Sequence, residues 1–277
     1  MTDADNLYQA MIEAGLAMYK PTSILADGKV HRYRVAGDKA GSLNGWYVLH
    51  LEAKAFGAFG SWKTGQSCTW SAAKPETMTP AERQALAARM QEVRAAHAAE
   101  TAKVQAEAAK RALRLWDRSK PACNDHPYLV KKRVHAYGIR DLRGQLVIPL
   151  RDVDGKLRSL QFIGTDGRKT FLTGGRMRGC YHPIGRPRDV LCLCEGYATG
   201  ATLHQATGHA TAVAFNAGNL EPVARALRGK FPTLALVVCA DDDAATPGNP
   251  GLTAARKAAQ AVGAALAVPR FEEVRHV

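Results

Sequence analysis

The chain has no apolar run near the roughly 20 residues a helix needs to cross a bilayer, and its first residues, Met1-Thr2-Asp3-Ala4-Asp5, are acidic where a secretory leader would be basic. The expectation is a protein that works in the cytoplasm without a membrane partner. It has no paired cysteines. Cys68, Cys123, Cys180, Cys192, Cys194 and Cys239 contain no CxxC spacing, so neither a zinc ribbon nor a disulfide framework is supported, and buried reduced thiols are expected. No GxxxxGK followed by Ser or Thr occurs, which excludes a built-in P-loop motor. The nine histidines are scattered, and no Ser-His-Asp arrangement stands out. Acids are also in short supply: 38 Lys and Arg face 25 Asp and Glu, a formal charge of +13. A surplus of that size steers polyanions to the surface and releases their counterions on contact, so nucleic acid is the leading partner class.

What is present suffices for ordinary cores, since 46% of the 277 residues are hydrophobic, enough for one large or two modest domains. Residues 1–74 read as a small α+β unit. It opens with an amphipathic helix whose apolar positions are Leu7, Met11, Ile12 and Leu16, followed by strands over 30–35, 46–51 and 55–62. Trp46, Tyr47, Trp62 and Trp70 stand there among His31, Arg32, Arg34 and Lys63. Trp46 and Trp62 are candidates for stacking template bases between cations, and core packing is the competing use of the same rings.

Residues 75–119 form a helical connector. Thr79-Pro80-Ala81-Glu82 is a start signal with a cap, a first-turn proline and a capping-box glutamate. No glycine or further proline follows until about Ser119, and large apolar residues are sparse (Leu86, Met90, Val93, Val104), as in a solvated lever or a helical hairpin. Residues 120–189 then read as a basic antiparallel β subdomain, with strands over 145–150, 157–163 and 169–172 and turns at Asp152-Val153-Asp154-Gly155 and Thr165-Asp166-Gly167-Arg168. Asp152 and Asp154 mark a turn there rather than a calcium loop, because the remaining ligands are missing. From residue 190 to 277 strands and helices alternate, which implies a parallel sheet with covering helices.

Two acidic groups fall at the same edge of that parallel sheet. Glu195 directly follows the apolar strand Val190-Leu191-Cys192-Leu193-Cys194, and Asp241-Asp242-Asp243 follow the strand ending at Cys239-Ala240. Open α/β sheets bind ligands at the carboxyl ends of their strands. Carboxylates crowded together repel, so a cation is the natural neutraliser, and hard oxygen ligands without histidine suit Mg²⁺. Strand alternation puts Asp241 and Asp243 on one side and Asp242 on the other. The basic residues near the meander are candidates for phosphate contacts: Lys131, Lys132, Arg133, Arg140, Arg151, Arg158, Lys169, Arg176 and Arg178.

Cys194-Glu195-Gly196-Tyr197, followed about 45 residues later by Asp241-Asp242-Asp243, resembles the Toprim signature of bacterial-type primases, topoisomerases and related nucleases. His126-Pro127-Tyr128-Leu129, Leu146-Val147-Ile148-Pro149-Leu150, Ala214-Phe215-Asn216-Ala217-Gly218-Asn219 and Gly248-Asn249-Pro250-Gly251 are similar to the primases of phages, plasmids and integrative elements. The resemblance covers residues 120–270 well and the first 74 more loosely. It implies a Toprim fold holding Mg²⁺ or Mn²⁺ through Glu195, Asp241 and Asp243, with Asp242 a bystander or auxiliary ligand. It further implies a basic subdomain before that fold, synthesis of short RNA primers from ribonucleoside triphosphates on single-stranded DNA, and a separate replicative helicase as partner. Two features depart from the pattern. Thr199 stands where cellular primases often place an aspartate, and only Glu272 and Glu273 stand where those enzymes carry a further acidic motif. The same residues leave two other readings open, a Toprim nuclease and a nucleic-acid-binding module whose metal site has decayed.

Overall fold

A computed structural model describes residues 2–51, 55–62, 64, 66–72, 79–242, 246 and 248–269, without the side chains of residues 82, 86, 93, 96 and 97. Asp243, Lys63, Glu272 and Glu273, and the side chains of Glu82, Leu86 and Val93, therefore lie outside the described residues. The chain divides into two units, Met1–Ala98 and Ala99–Val277.

The first unit opens with α1 (Asp3–Glu13). Thr2 Oγ1 accepts from the Asp5 N–H at 3.2 Å and Asp5 Oδ2 accepts from the Thr2 N–H at 2.7 Å, a reciprocal capping box that the sequence reading did not include. Leu7 and Met11 are fully buried, Ile12 is 41% exposed, and Leu16 is buried just past the helix end. Four antiparallel strands follow in order: β1 (His31–Tyr33), β2 (Gly45–His50), β3 (Phe56–Ser61) and β4 (Ser67–Ser71). The apolar face of α1 packs on Tyr33, Tyr47, Leu49 and Phe59. β4 is an addition to the three expected strands; its Ser-Cys-Thr-Trp-Ser composition carries little apolar signal. The expected strand over 30–35 is shorter, with Val35 held instead by an isolated bridge to Met18.

α2 (Pro80–Arg118) is a single helix of 39 residues, with no hairpin. What it buries is alanine: Ala108 and Ala112 are fully buried, and Ala112 packs on Val147 and Leu160. Small side chains let the helix lie close to a sheet without the large apolar stripe by which a packed helix is usually recognised.

The second unit holds two five-stranded sheets. The first is antiparallel throughout, in the order β5 (Lys120–Pro121), β6 (Arg140–Leu142), β7 (Gln145–Arg151), β8 (Leu157–Ile163) and β9 (Lys169–Phe171). β5, β6 and the short helix α3 (Pro127–Lys132) were not legible as elements. Asp152 forms the expected turn: its Oδ1 accepts the N–H groups of Asp154 and Lys156, and its other oxygen takes the Arg158 Nε at 2.6 Å.

The second sheet runs β10 (His182–Ile184), β12 (Ala210–Val213), β11 (Val190–Cys194), β13 (Ala235–Cys239) and β14 (Ala265–Ala267), with helices α4 (Tyr197–Thr207), α5 (Leu220–Lys230) and α6 (Pro250–Val262). Strands β11 to β14 are mutually parallel where paired, but β10 joins the edge antiparallel to β12. The strands of residues 190–277 thus form the expected parallel sheet, and β10, from the segment before them, makes the whole sheet mixed. Three residues between a turn and a proline-containing loop are too few to display a period, which is why β10 escaped the sequence reading.

Alternation along β11 sends Cys192 and Cys194 to one core and Leu191 and Leu193 to the other. The first core also holds Tyr128, Leu129, Leu146, Ile148 and Ile163, so both sheets share one hydrophobic interior. An isolated bridge between Arg151 and Tyr181, with backbone bonds of 3.0 and 2.8 Å, stitches β7 to the segment entering β10.

Candidate functional site

Strands β11 and β13 pair in register Leu191 with Leu236 and Leu193 with Val238. Continuing that register, Glu195 and Asp241 leave neighbouring strands within one residue of each other, at adjacent strand spacing of about 4.8 Å. Gly196 follows Glu195 and caps α4 in an extended conformation without a side-chain bond. Gly200, one turn later, lets α4 approach the sheet: a Cβ there would stand 2.7 Å from Val213 Cγ2 and 3.1 Å from Cys194 Sγ. The tight helix-to-strand fit holds the Glu195 turn against the sheet.

Thr199, on the first turn of α4, donates from Oγ1 to Asp241 Oδ1 at 3.4 Å. The residue that departs from the primase pattern is thus in contact with Asp241, one of the expected ligands. Both carboxylates act on one buried thiol: burial, and then the charges of Asp241 and Glu195 among its neighbours, push Cys194 well above its ordinary value. Asp242 has a different job. It accepts from Asn249 Nδ2 at 2.6 Å, and Asn249, at φ 38°, caps α6 by accepting from the Leu252 N–H. Among the described residues no three His, Cys, Asp or Glu side chains form a ready metal cluster, and Asp243, the third expected ligand, is not among those residues. The donors that are described, two carboxylates on adjacent strand ends and the Thr199 hydroxyl on the first turn of α4, fit a hard cation that keeps several waters.

The third strand end at this rim is strained. Phe215, two residues past the end of β12, has φ 74°, its N–H donates to the Glu195 carbonyl at 2.7 Å, and its ring meets Phe171 edge-on at 6.1 Å. A left-handed aromatic residue persists only where its surroundings over-determine it. Asn219, buried nearby, donates to the carbonyls of Cys180 and Ala214 and accepts from the Gly179 N–H, which ties the loop carrying Arg176 and Arg178 to the rim. Neither residue was singled out individually; both lie in the segment 214–219 that carries part of the resemblance.

The basic candidates separate into groups. Lys131, Lys132 and Lys169 line one cleft of about 330 Å³ with Tyr128, Thr165 and Asp166. The Lys169 ammonium also lies 4.0 Å from where a Cβ on Gly196 would stand, so the cleft and the carboxylate rim adjoin. Arg133 ends α3 in a left-handed conformation and is exposed. Arg176 and Arg178 sit on the loop anchored by Asn219. Arg158 is paired with Asp152, Arg151 donates to the Gly155 carbonyl at 3.0 Å, and Arg140 caps the Trp116 and Ser119 carbonyls.

In the first unit Trp46 is only 6% exposed and packs with Val48 and Ala58, whereas Trp62 is 41% exposed, with ring centroids 6.0 Å apart. His31 meets Asp27, Arg32 donates to the Leu43 carbonyl, and Arg34 donates to the Asp38 carbonyl. Those cations already serve the fold.

Residues 190–271, which carry the parallel strands with acidic residues at their carboxyl ends, match the Toprim domain family. Across nearly its whole length the chain is similar to a DNA primase TraC of Escherichia coli, with 38% identity over 286 residues covering 98% of this chain and 20% of that protein. A second DNA primase TraC of Escherichia coli is 39% identical over 259 residues, covering 89% of this chain and 24% of its own. The chain thus spans about a fifth to a quarter of the curated relatives it matches. Among solved structures, the primase fragment of the bacteriophage T7 primase-helicase protein matches with a TM-score of 0.41 and 13% identity, covering 56% of this chain and 66% of that one.

Proposed function

We propose that this chain is a DNA primase that joins ribonucleotides into short RNA primers on single-stranded DNA. The observation that carries the reading is the placement of Glu195 and Asp241 on adjacent strand ends of a Toprim domain, within a chain of charge +13 that is similar along its length to proteins named DNA primase. Glu195, Asp241 and Asp243 would hold Mg²⁺ or Mn²⁺. Such an ion, when bound, stabilises charge on an attacking hydroxyl and on a transferring phosphoryl group. Thr199 holds Asp241 in orientation, and Lys169 places positive charge at the Glu195 turn. Phe215 and Asn219 fix the rim and the Arg176–Arg178 loop against it, and that loop takes template phosphates.

The domain roles follow the same reading. Residues 1–74 help choose template without zinc, with Trp62 as the accessible stacking ring. Residues 75–119 connect, residues 120–189 supply basic contacts, and residues 190–277 carry the metal centre. The partners are single-stranded DNA, ribonucleoside triphosphates and a separate helicase in the cytoplasm. The test is synthesis of labelled short RNA on single-stranded DNA with Mg²⁺ or Mn²⁺. Glu195→Gln and Asp241→Asn should each lower product by 100-fold or more, on the order of 3 kcal/mol of transition-state stabilisation. Unchanged product from either variant overturns the assignment, and template degradation in place of synthesis favours a nuclease.

A further inference from the structure

The basic surface around α3 and the acidic rim after β11 belong to different sheets of the second unit, and phosphoryl transfer between groups held by both tolerates little error in their relation. The connector that leaves α3 shows how that relation is held. Val134 is buried, and the next three residues, His135, Ala136 and Tyr137, make no backbone–backbone hydrogen bond among the described residues. Such a segment must satisfy its polar groups elsewhere. It does so on side chains. The His135 N–H donates to Gln205 Oε1 at 2.9 Å, the Ala136 N–H to Asn124 Oδ1 at 2.8 Å and the Tyr137 N–H to the Tyr197 hydroxyl at 2.8 Å. That hydroxyl in turn donates to the His135 carbonyl at 2.8 Å, and His182 Nε2 meets the Tyr137 carbonyl at 2.8 Å.

We propose that the Tyr197 hydroxyl is a positioning group for primer synthesis, locking the segment that leaves α3 to the turn that carries Glu195, a deepening that rests on the primase reading. Tyr197 is the first residue of α4, just beyond Glu195 and Gly196, and His135 follows closely on Lys132, the last residue of α3. One oxygen therefore joins the two halves of the proposed site through very short lengths of chain. Its donor and one acceptor lone pair are both used on the same loop, which fixes the loop in direction as well as in distance. The Tyr197 side chain is 1% exposed and packs with Leu129, Val134 and Ile139 in the core shared by both sheets, so the hydroxyl cannot swing to other partners. Gln205, about two turns further along α4, bonds the same loop, and the helix thus grips it at two points. A phenylalanine would fill the core equally well. What the hydroxyl adds is the tie, and groups held for an in-line transfer can lose on the order of 100-fold in rate from a 1 Å misplacement.

The test uses the full chain and two variants. Tyr197→Phe keeps the ring and removes the tie, so kcat for primer synthesis should fall by about tenfold or more. Each half of the site keeps its own contacts, so KM for ribonucleotides and the dissociation constant for single-stranded DNA should stay within about twofold. Leu227→Val removes a buried methylene from α5 in the opposite core; it should lower the melting temperature by a similar few degrees and keep kcat within about twofold. Hydrogen exchange over residues 135–137 should quicken by about tenfold or more in Tyr197→Phe and not in Leu227→Val. The proposal is overturned if Tyr197→Phe keeps its kcat or its exchange protection, if its kcat, KM and DNA affinity all worsen together, or if Leu227→Val loses as much kcat. Wild-type protein that makes no primer overturns the primase reading, and this inference with it.

Discussion

Thr199 shows how one side chain can replace another without replacing its chemistry. An aspartate at that position would add a charge to the rim; the threonine instead donates one hydrogen bond to Asp241. A bond to a carboxylate that is as long as 3.4 Å contributes about 1 kcal/mol net, so Thr199→Val should reduce primer synthesis roughly three- to tenfold with little change in melting temperature. Thr199→Asp adds a carboxylate beside Asp241. Without metal it should lower the melting temperature through like-charge repulsion, and with Mg²⁺ it should gain more thermal stability than the wild type does. Melting curves with and without Mg²⁺ decide the matter. An equal gain for both proteins would mean that residue 199 and Asp241 do not share a cation.

Among the elements, β10 carries the clearest pH signature. His182, on that strand, is 1% exposed, its Nε2 meets the Tyr137 carbonyl at 2.8 Å, and its Nδ1 has no partner. Burial pushes its pKa down to about 4, with the Tyr137 bond opposing and Arg151 assisting. The folded state therefore binds the proton less readily than the unfolded chain, whose histidine titrates near 6.5. Stability from this group is complete above about pH 6.5 and is lost as the pH falls toward 4, on the order of 3 kcal/mol across the window. Between pH 6.5 and 5, before most carboxylates titrate, the wild type should lose about 2 kcal/mol and His182→Gln much less. Urea melts at those two pH values measure the difference, and parallel losses would assign the acid sensitivity elsewhere.

β10 also marks the limit of what could be read beforehand. Patterned elements were legible: β7, β8 and the alternation from β11 to β14 lie within a few residues of expectation because their burial leaves apolar runs between turn signals, and α2 was legible from its cap signal and its lack of glycine and further proline. Five short elements, β4, β5, β6, β10 and α3, were not, since their pairing comes from tertiary contacts. At the candidate site, Glu195 and Asp241 were legible because an acid directly after an apolar strand is conspicuous. The Thr199 bond and the Phe215 backbone were not, as neither a hydrogen-bond partner nor a positive φ is written in a residue's type.

For the whole molecule the argument turns on where its charge lies. Residues 99–277 hold 27 Lys and Arg against 16 Asp and Glu, while residues 1–98 hold 11 against 9, so nearly all of the +13 belongs to the unit carrying the Toprim domain. Binding of single-stranded DNA should therefore weaken steeply with salt, with log K falling by about 0.7 per phosphate contact for each tenfold rise in salt. Under the proposed reading, in which those side chains take template phosphates, Arg176→Ala/Arg178→Ala should flatten the salt slope by roughly 0.7 to 1.4. A decayed Toprim protein would share the first slope, since counterion release does not depend on a metal. Only metal-dependent synthesis by the same preparation, measured at the salt concentration where binding is half-saturated, separates a polymerising enzyme from a basic surface that merely holds DNA.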